Sequence, residues 1–89
     1  MKYILIIHEV EDYGKWKPAY DAHKTKREQA SLKELYIWRN QDKPNEISVL
    51  FEAADLDKAN QFRQSDELKQ AMKAAGVQGT PKIKLLDKL

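Results

Sequence analysis

Cysteine is absent from the 89 residues, which removes disulfides, thiolate nucleophiles and Cys-based zinc sites from consideration. Histidine occurs twice, at His8 and His23, too few to complete a structural metal site alone. No long hydrophobic run is present. The longest, Tyr3 to Ile7, is strand-sized, far below the ~20 residues a membrane helix needs. One lysine precedes it rather than the basic region of a signal peptide, so the expectation is a cytoplasmic protein without a membrane partner. Neither sign of charge dominates: 16 Lys and Arg against 14 Asp and Glu give a net charge of +2. The densest basic cluster, Lys24, Lys26 and Arg27, is flanked by Asp21 and Glu28, so no nucleic-acid partner is expected. Repeats and low-complexity tracts are also lacking.

The residues present make an ordinary folding chain. Hydrophobic residues account for 42% and charged residues for 34%, a balance typical of globular proteins. A chain this short buries one core, so residues 1–89 should form a single domain without a linker.

Residues 2–10 are β-branched and aromatic and contain neither Gly nor Pro, which predicts a first strand. Tyr3, Leu5 and Ile7 share one face and Ile4, Ile6 and His8 the other. Asp12 can cap a following helix. Tyr13, Trp16, Tyr20, His23 and Arg27 recur at spacings of three and four, which aligns them on one side of a helix reaching about Gln29. Pro18 interrupts that stripe and predicts a loose first turn at 12–16 or a kink. Ser31 closes the segment. Residues 33–40 and 47–52 alternate and flank the polar stretch 41–45, as in an antiparallel hairpin. Asp55 can cap a helix over 56–63 and Ser65 a second segment over 66–75, with Gly76 at the left-handed position that ends helices. After Thr80-Pro81, residues 82–88 read as a last strand with alternate lysines, as sheet edges often have.

The resulting β-α-β-β-α-β order predicts an α+β, ferredoxin-like βαββαβ fold: a four-stranded antiparallel sheet with two helices on one face. Helices cover one sheet face only, yet the first strands carry large apolar side chains on both. The uncovered face would expose an apolar patch large enough to associate in water, and a homodimer through the open sheet faces is expected.

The run His8-x-Val10-x-Asp12-Tyr13-x-x-Trp16-Lys17-x-x-Tyr20-Asp21-x-His23 resembles the small dimeric α+β barrel proteins. So do Phe51-Glu52 before Asp55-x-x-Lys58-Ala59, and Ser65-x-x-Leu68-Lys69-x-Ala71-Met72-x-x-Ala75-Gly76-Val77 with Pro81. Among these the chain is similar to the cyclase-like and antibiotic-biosynthesis-monooxygenase-like members. The resemblance spans nearly the whole chain. It implies homodimers whose two sheets build a barrel, a small-molecule pocket between sheet and helices, and chemistry that ranges from cofactor-free oxygenation, isomerisation and cyclisation to no known activity.

The individual residues carry two readings each. His8, at the end of its strand, suits a general base or a hydrogen-bond donor to an oxyanion, or a core-edge histidine bonded to backbone. Tyr13, Trp16 and Tyr20 suit stacking against a flat ligand, or plain core. His23 and Arg27 continue an aromatic stripe where apolar residues are expected, so either the helix end emerges into water or the pair faces a cleft that binds an anion or enolate. Arg39 is a comparable candidate, with Glu52 or Glu9 as structural partners otherwise. Trp38 fits the dimer interface or core. No metal spacing is met by His8, His23, Glu9 and Asp12, and no cofactor is expected. The preferred assignment is a homodimer binding an aromatic or carbonyl-bearing metabolite, with His8 or His23 as base, Arg27 or Arg39 stabilising negative charge, and Trp16 and Tyr20 stacking. The alternative is a non-catalytic stress-response or interaction module.

Overall fold

Strand β1 (Lys2–Val10) takes an inner place in the sheet, between β3 (Glu46–Ala53) and β4 (Val77–Asp87). The computed structural model describes residues 2–89. With β2 (Leu32–Arg39) outermost on the other side, the order is β2-β3-β1-β4, antiparallel at every pairing. This is the ferredoxin-like βαββαβ arrangement, except that each crossover is a broken helix: α1 (Tyr13–Ala22) with α2 (Lys24–Gln29), and α3 (Leu56–Arg63) with α4 (Asp66–Ala74).

The caps fall where the sequence places them. The side chain of Asp12 accepts from the Gly14 N–H at 2.9 Å, that of Asp55 from Lys58 at 3.2 Å and that of Ser65 from Leu68 at 3.2 Å. Each satisfies an N–H that the first turn of a helix leaves unpaired. Gly76 has φ +87°, and a Cβ there would lie 3.3 Å from the Glu11 Cβ. The same glycine's carbonyl accepts from the Glu11 N–H at 2.7 Å, so the end of α4 is fastened to the end of β1.

The break in the first crossover is displaced from the expected one. The helix is regular from Tyr13 and runs through Pro18, and it leaves the helical path instead at His23 (φ −95°, ψ 10°). Side chains take over the carbonyls there. The His23 ring Nδ1 lies 3.0 Å from the Ala19 carbonyl, and Arg27 Nη1 donates to the Tyr20 carbonyl at 2.5 Å. A cation at this negative end of α1 is also favoured by the helix dipole. After α2, Ser31 adopts φ +63°, a left-handed conformation that costs a non-glycine residue about 1–2 kcal/mol. Its hydroxyl offsets this by donating to the Asp55 carbonyl (2.8 Å) and accepting from the Asp55 N–H (2.9 Å).

Two bulges also depart from simple alternation. In β2 the register shifts between Glu34 and Tyr36, leaving Leu35 as an extra residue. Leu32 and Glu34 therefore share the helix-covered face with Ile37 and Arg39, opposite Ala53, Phe51, Val49 and Ile47. The last strand begins at Val77, earlier than Pro81 suggested, because the β1–β4 register shifts between Ile7 and Glu9. An unpaired stretch accommodates a proline that cannot donate to the ladder.

Ile4, Val10, Trp16, Leu32, Ile47, Val49 and Phe51 form the buried centre on the helix side. The other crossover places only alanines there, Ala59 and Ala75, while α4 has no fully buried residue. On the opposite face the register aligns Tyr3, Leu5 and Ile7 of β1 with Leu50 of β3, Tyr36 and Trp38 of β2, and Leu86 of β4. Tyr36 and Trp38 stack at 5.3 Å and are 58% and 48% exposed. Among the described residues no helix is long and apolar enough to cross a membrane.

Candidate functional site

The half-buried large side chains of the second crossover and the aromatic stripe of the first enclose a cavity of about 90 Å³ above the sheet. Its floor is Ile4, Ile6, His8, Val49 and Phe51, and its walls include Trp16, Tyr20, Leu68 and Met72. His23, Arg27 and Arg63 also line it.

His8 is the polar group of the floor. It is 8% exposed, and neither ring nitrogen has a hydrogen-bond partner among the described residues. The alternation of β1 points it toward the helices beside Ile6, and its backbone sits where the β1–β4 register slips. Burial pushes its pKa below the ordinary value of 6.5, because an imidazolium loses its hydration there. At neutral pH the ring is therefore uncharged, with one nitrogen able to accept a proton and the other to donate one.

A row of π systems leads away from His8. Its ring meets Trp16 edge-on at 5.3 Å, Trp16 stacks on Tyr20 at 4.7 Å, and the Arg27 guanidinium lies 3.7 Å from the Tyr20 ring centre. Arg27 is 9% exposed. The Tyr20 hydroxyl donates to Glu34 Oε1 at 2.7 Å, a contact that the β2 bulge permits by turning Glu34 to the helix side. Burial and this hydrogen bond push the Tyr20 phenol up, so it remains a donor rather than a phenolate. Trp16 is buried core and also lines the cavity.

Of the residues singled out from sequence, His8, Trp16, Tyr20, His23 and Arg27 come together around this cavity. Arg39 does not. It shares the helix-covered face, but its guanidinium lies 4.6 Å from the Tyr13 ring centre and its Nε donates to the Pro44 carbonyl at 2.5 Å. Neither Tyr13 nor Arg39 lines the cavity. Arg63, which the sequence reading passed over, does line it. Its Nη2 donates to Asn60 Oδ1 at 3.2 Å, while its enclosed Nε has no partner among the described residues. A signal was available, because Arg63 follows Ala59 by four residues and so continues the stripe begun by Leu56 and Ala59. No cluster of three or more metal-ligating side chains occurs among the described residues.

With this geometry established, comparison with solved structures shows a shared fold. A protein from Bordetella bronchiseptica, provisionally named an antibiotic biosynthesis monooxygenase, superposes with a TM-score of 0.77 at 13% identity, covering 99% of this chain and 96% of its own. A similarly named protein from Caulobacter crescentus CB15 gives 0.75 at 17% identity, covering 99% and 89%. A third, an antibiotic biosynthesis monooxygenase, gives 0.71 at 15% identity, covering 100% and 99%. The likeness is one of fold. Comparisons with protein-family models and with curated proteins find no match. The chain thus has the architecture of antibiotic-biosynthesis-monooxygenase-like proteins, as its sequence resemblance implied.

Proposed function

We propose that the protein is a homodimer that binds a small, carbonyl-bearing or aromatic molecule in the cavity beneath α1 and carries out cofactor-independent proton transfer on it. His8 carries this reading. A neutral imidazole with no protein partner, enclosed beside an apolar cavity, costs about 1–3 kcal/mol of unmet hydrogen bonding, and a ligand's polar atom would meet that need. The cavity is walled by Trp16 and Tyr20, whose ring faces suit a flat ligand body.

In the proposed step one His8 ring nitrogen accepts a proton from carbon adjacent to a carbonyl. Negative charge then develops on the carbonyl oxygen, and Arg27 supplies a fixed positive charge with unused N–H donors for it. The resulting enolate can be reprotonated elsewhere, attack a second carbonyl, or give an electron to dioxygen. Isomerisation, cyclisation and oxygenation therefore share the first step, and the solved neighbours favour oxygenation. His23 is the weaker candidate for the base, since its Nδ1 is already 3.0 Å from the Ala19 carbonyl.

Proton NMR in D₂O tests the step directly. With cyclohexanone as carbon acid, the protein should accelerate deuterium uptake at the α-carbon, and His8→Gln should abolish that acceleration while the fold persists. Exchange no faster than in buffer, or equally fast with the variant, would refute it.

A further inference from the structure

The charge composition of the cavity narrows the class of its ligand, an inference that rests on the small-molecule reading above. Two guanidinium groups line it, from Arg27 and Arg63, and no carboxylate does. Every ion pair among the described residues is made by a lysine. Among the described residues, the Arg27 guanidinium bonds only a neutral carbonyl, and that of Arg63 only a neutral amide oxygen. Both groups stay charged at any working pH, and for the buried Arg27 a charge without an ion-pair partner is unfavourable. The planar guanidinium fork matches the two oxygens of a carboxylate better than any single-atom acceptor.

Size supplies a second constraint. At about 90 Å³, the cavity is smaller than the ~150 Å³ apolar cavity that accommodates benzene in another protein. The apolar part of the ligand is therefore small, a short chain or a single ring that the walls must yield to admit, with its head at the arginines of the lining. Met72, unbranched and adaptable, is the wall residue best able to yield to a ring. His8 and Arg27 stand at opposite ends of the aromatic row, so the charged head and the atom that meets His8 are different parts of the ligand.

We propose that the ligand is a small monocarboxylate, its carboxylate held by Arg27 and Arg63 and its apolar body of at most one ring lying against Trp16. Neutral ketones bind as incomplete ligands.

Calorimetric titration of the full chain at low ionic strength with benzoate and its neutral isostere benzamide tests this. Benzoate should bind at least tenfold more tightly. Arg63→Gln should weaken benzoate binding at least tenfold, leave benzamide unchanged within twofold, and be partly rescued by Arg63→Lys. Arg27 also holds the Tyr20 carbonyl, so the more exposed Arg63 carries the test, with Arg27→Lys as the second variant. Equal affinities for the two compounds, or undiminished benzoate binding by Arg63→Gln, would overturn the carboxylate assignment and leave the cavity reading intact. If neither compound binds or shifts the His8 and Trp16 resonances, both readings fall.

Discussion

Replacing His8 by leucine should stabilise the protein, and more so in acid than at neutral pH. The substitution keeps a side chain of similar bulk on the floor of the cavity and removes two ring nitrogens that have no protein partner. Unmet buried polar groups cost about 1–3 kcal/mol, so at pH 7.5 a gain of about 2 kcal/mol is expected. The acid-side term follows from linkage. Because the folded pKa of His8 lies below 6.5, the unfolded chain binds more protons than the folded one as pH falls from about 6.5 toward the folded value. Stability is therefore lost on acidification across that window and is unaffected above it. Between pH 7.5 and 5.5 the loss attributable to one such group is at most about 1.4 kcal/mol, so the advantage of the variant should widen to about 3 kcal/mol. Urea denaturation followed by tryptophan fluorescence at the two pH values measures both quantities. His23 is common to both proteins and cancels in the difference. Parallel pH dependences would refute the argument, since His8 would then charge as readily in the folded protein as in the unfolded chain. A variant less stable at pH 7.5 would show that the imidazole is satisfied where it lies.

Three other substitutions test the frame and the dimer. Gly76→Ala should cost about 1–3 kcal/mol in urea denaturation, because it combines a left-handed backbone with a Cβ 3.3 Å from Glu11, whereas the same change at Gly14 should cost far less. Trp38→Lys, placing charge among Tyr36, Leu50 and Tyr3 on the open sheet face, should convert a dimer to a monomer in sedimentation at micromolar concentration with its circular dichroism unchanged. A wild-type protein already monomeric there would sink the dimer proposal.

The parts of this molecule that the sequence made legible are those governed by local rules. Strand β1 was readable because nothing in it interrupts the run of β-branched and aromatic residues. The starts of α1, α3 and α4 were readable because Asp12, Asp55 and Ser65 are chemically suited to accept from a free helix N–H. The break at His23 was not, because it depends on which side chains take the carbonyls of Ala19 and Tyr20, a competition settled in three dimensions rather than by Pro18. Arg39 lies on the same face as Ile37, as strand alternation requires, but alternation does not say how far along a face the cavity extends. The bulge at Leu35 left no mark in the residue types, and without it Glu34 would not be on the same side as Tyr20. Arg63 was overlooked because an arginine near a helix end reads as solvated, although its place on the stripe of Ala59 matches that of Arg27 on the stripe of Tyr20.

The two crossovers are joined, helix to helix, by one polar contact among the described residues, Lys26 of α2 to Glu67 of α4 at 3.2 Å, with both side chains more than half exposed. An exposed pair of this kind contributes only about 0.2–1 kcal/mol and is screened by salt. The helices are thus held over the sheet by the apolar packing of Trp16, Ala59 and Ala75 and by the bond from the Glu11 N–H to the Gly76 carbonyl rather than by charge. Raising the ionic strength should therefore leave the roof of the cavity and the stability of the fold little changed.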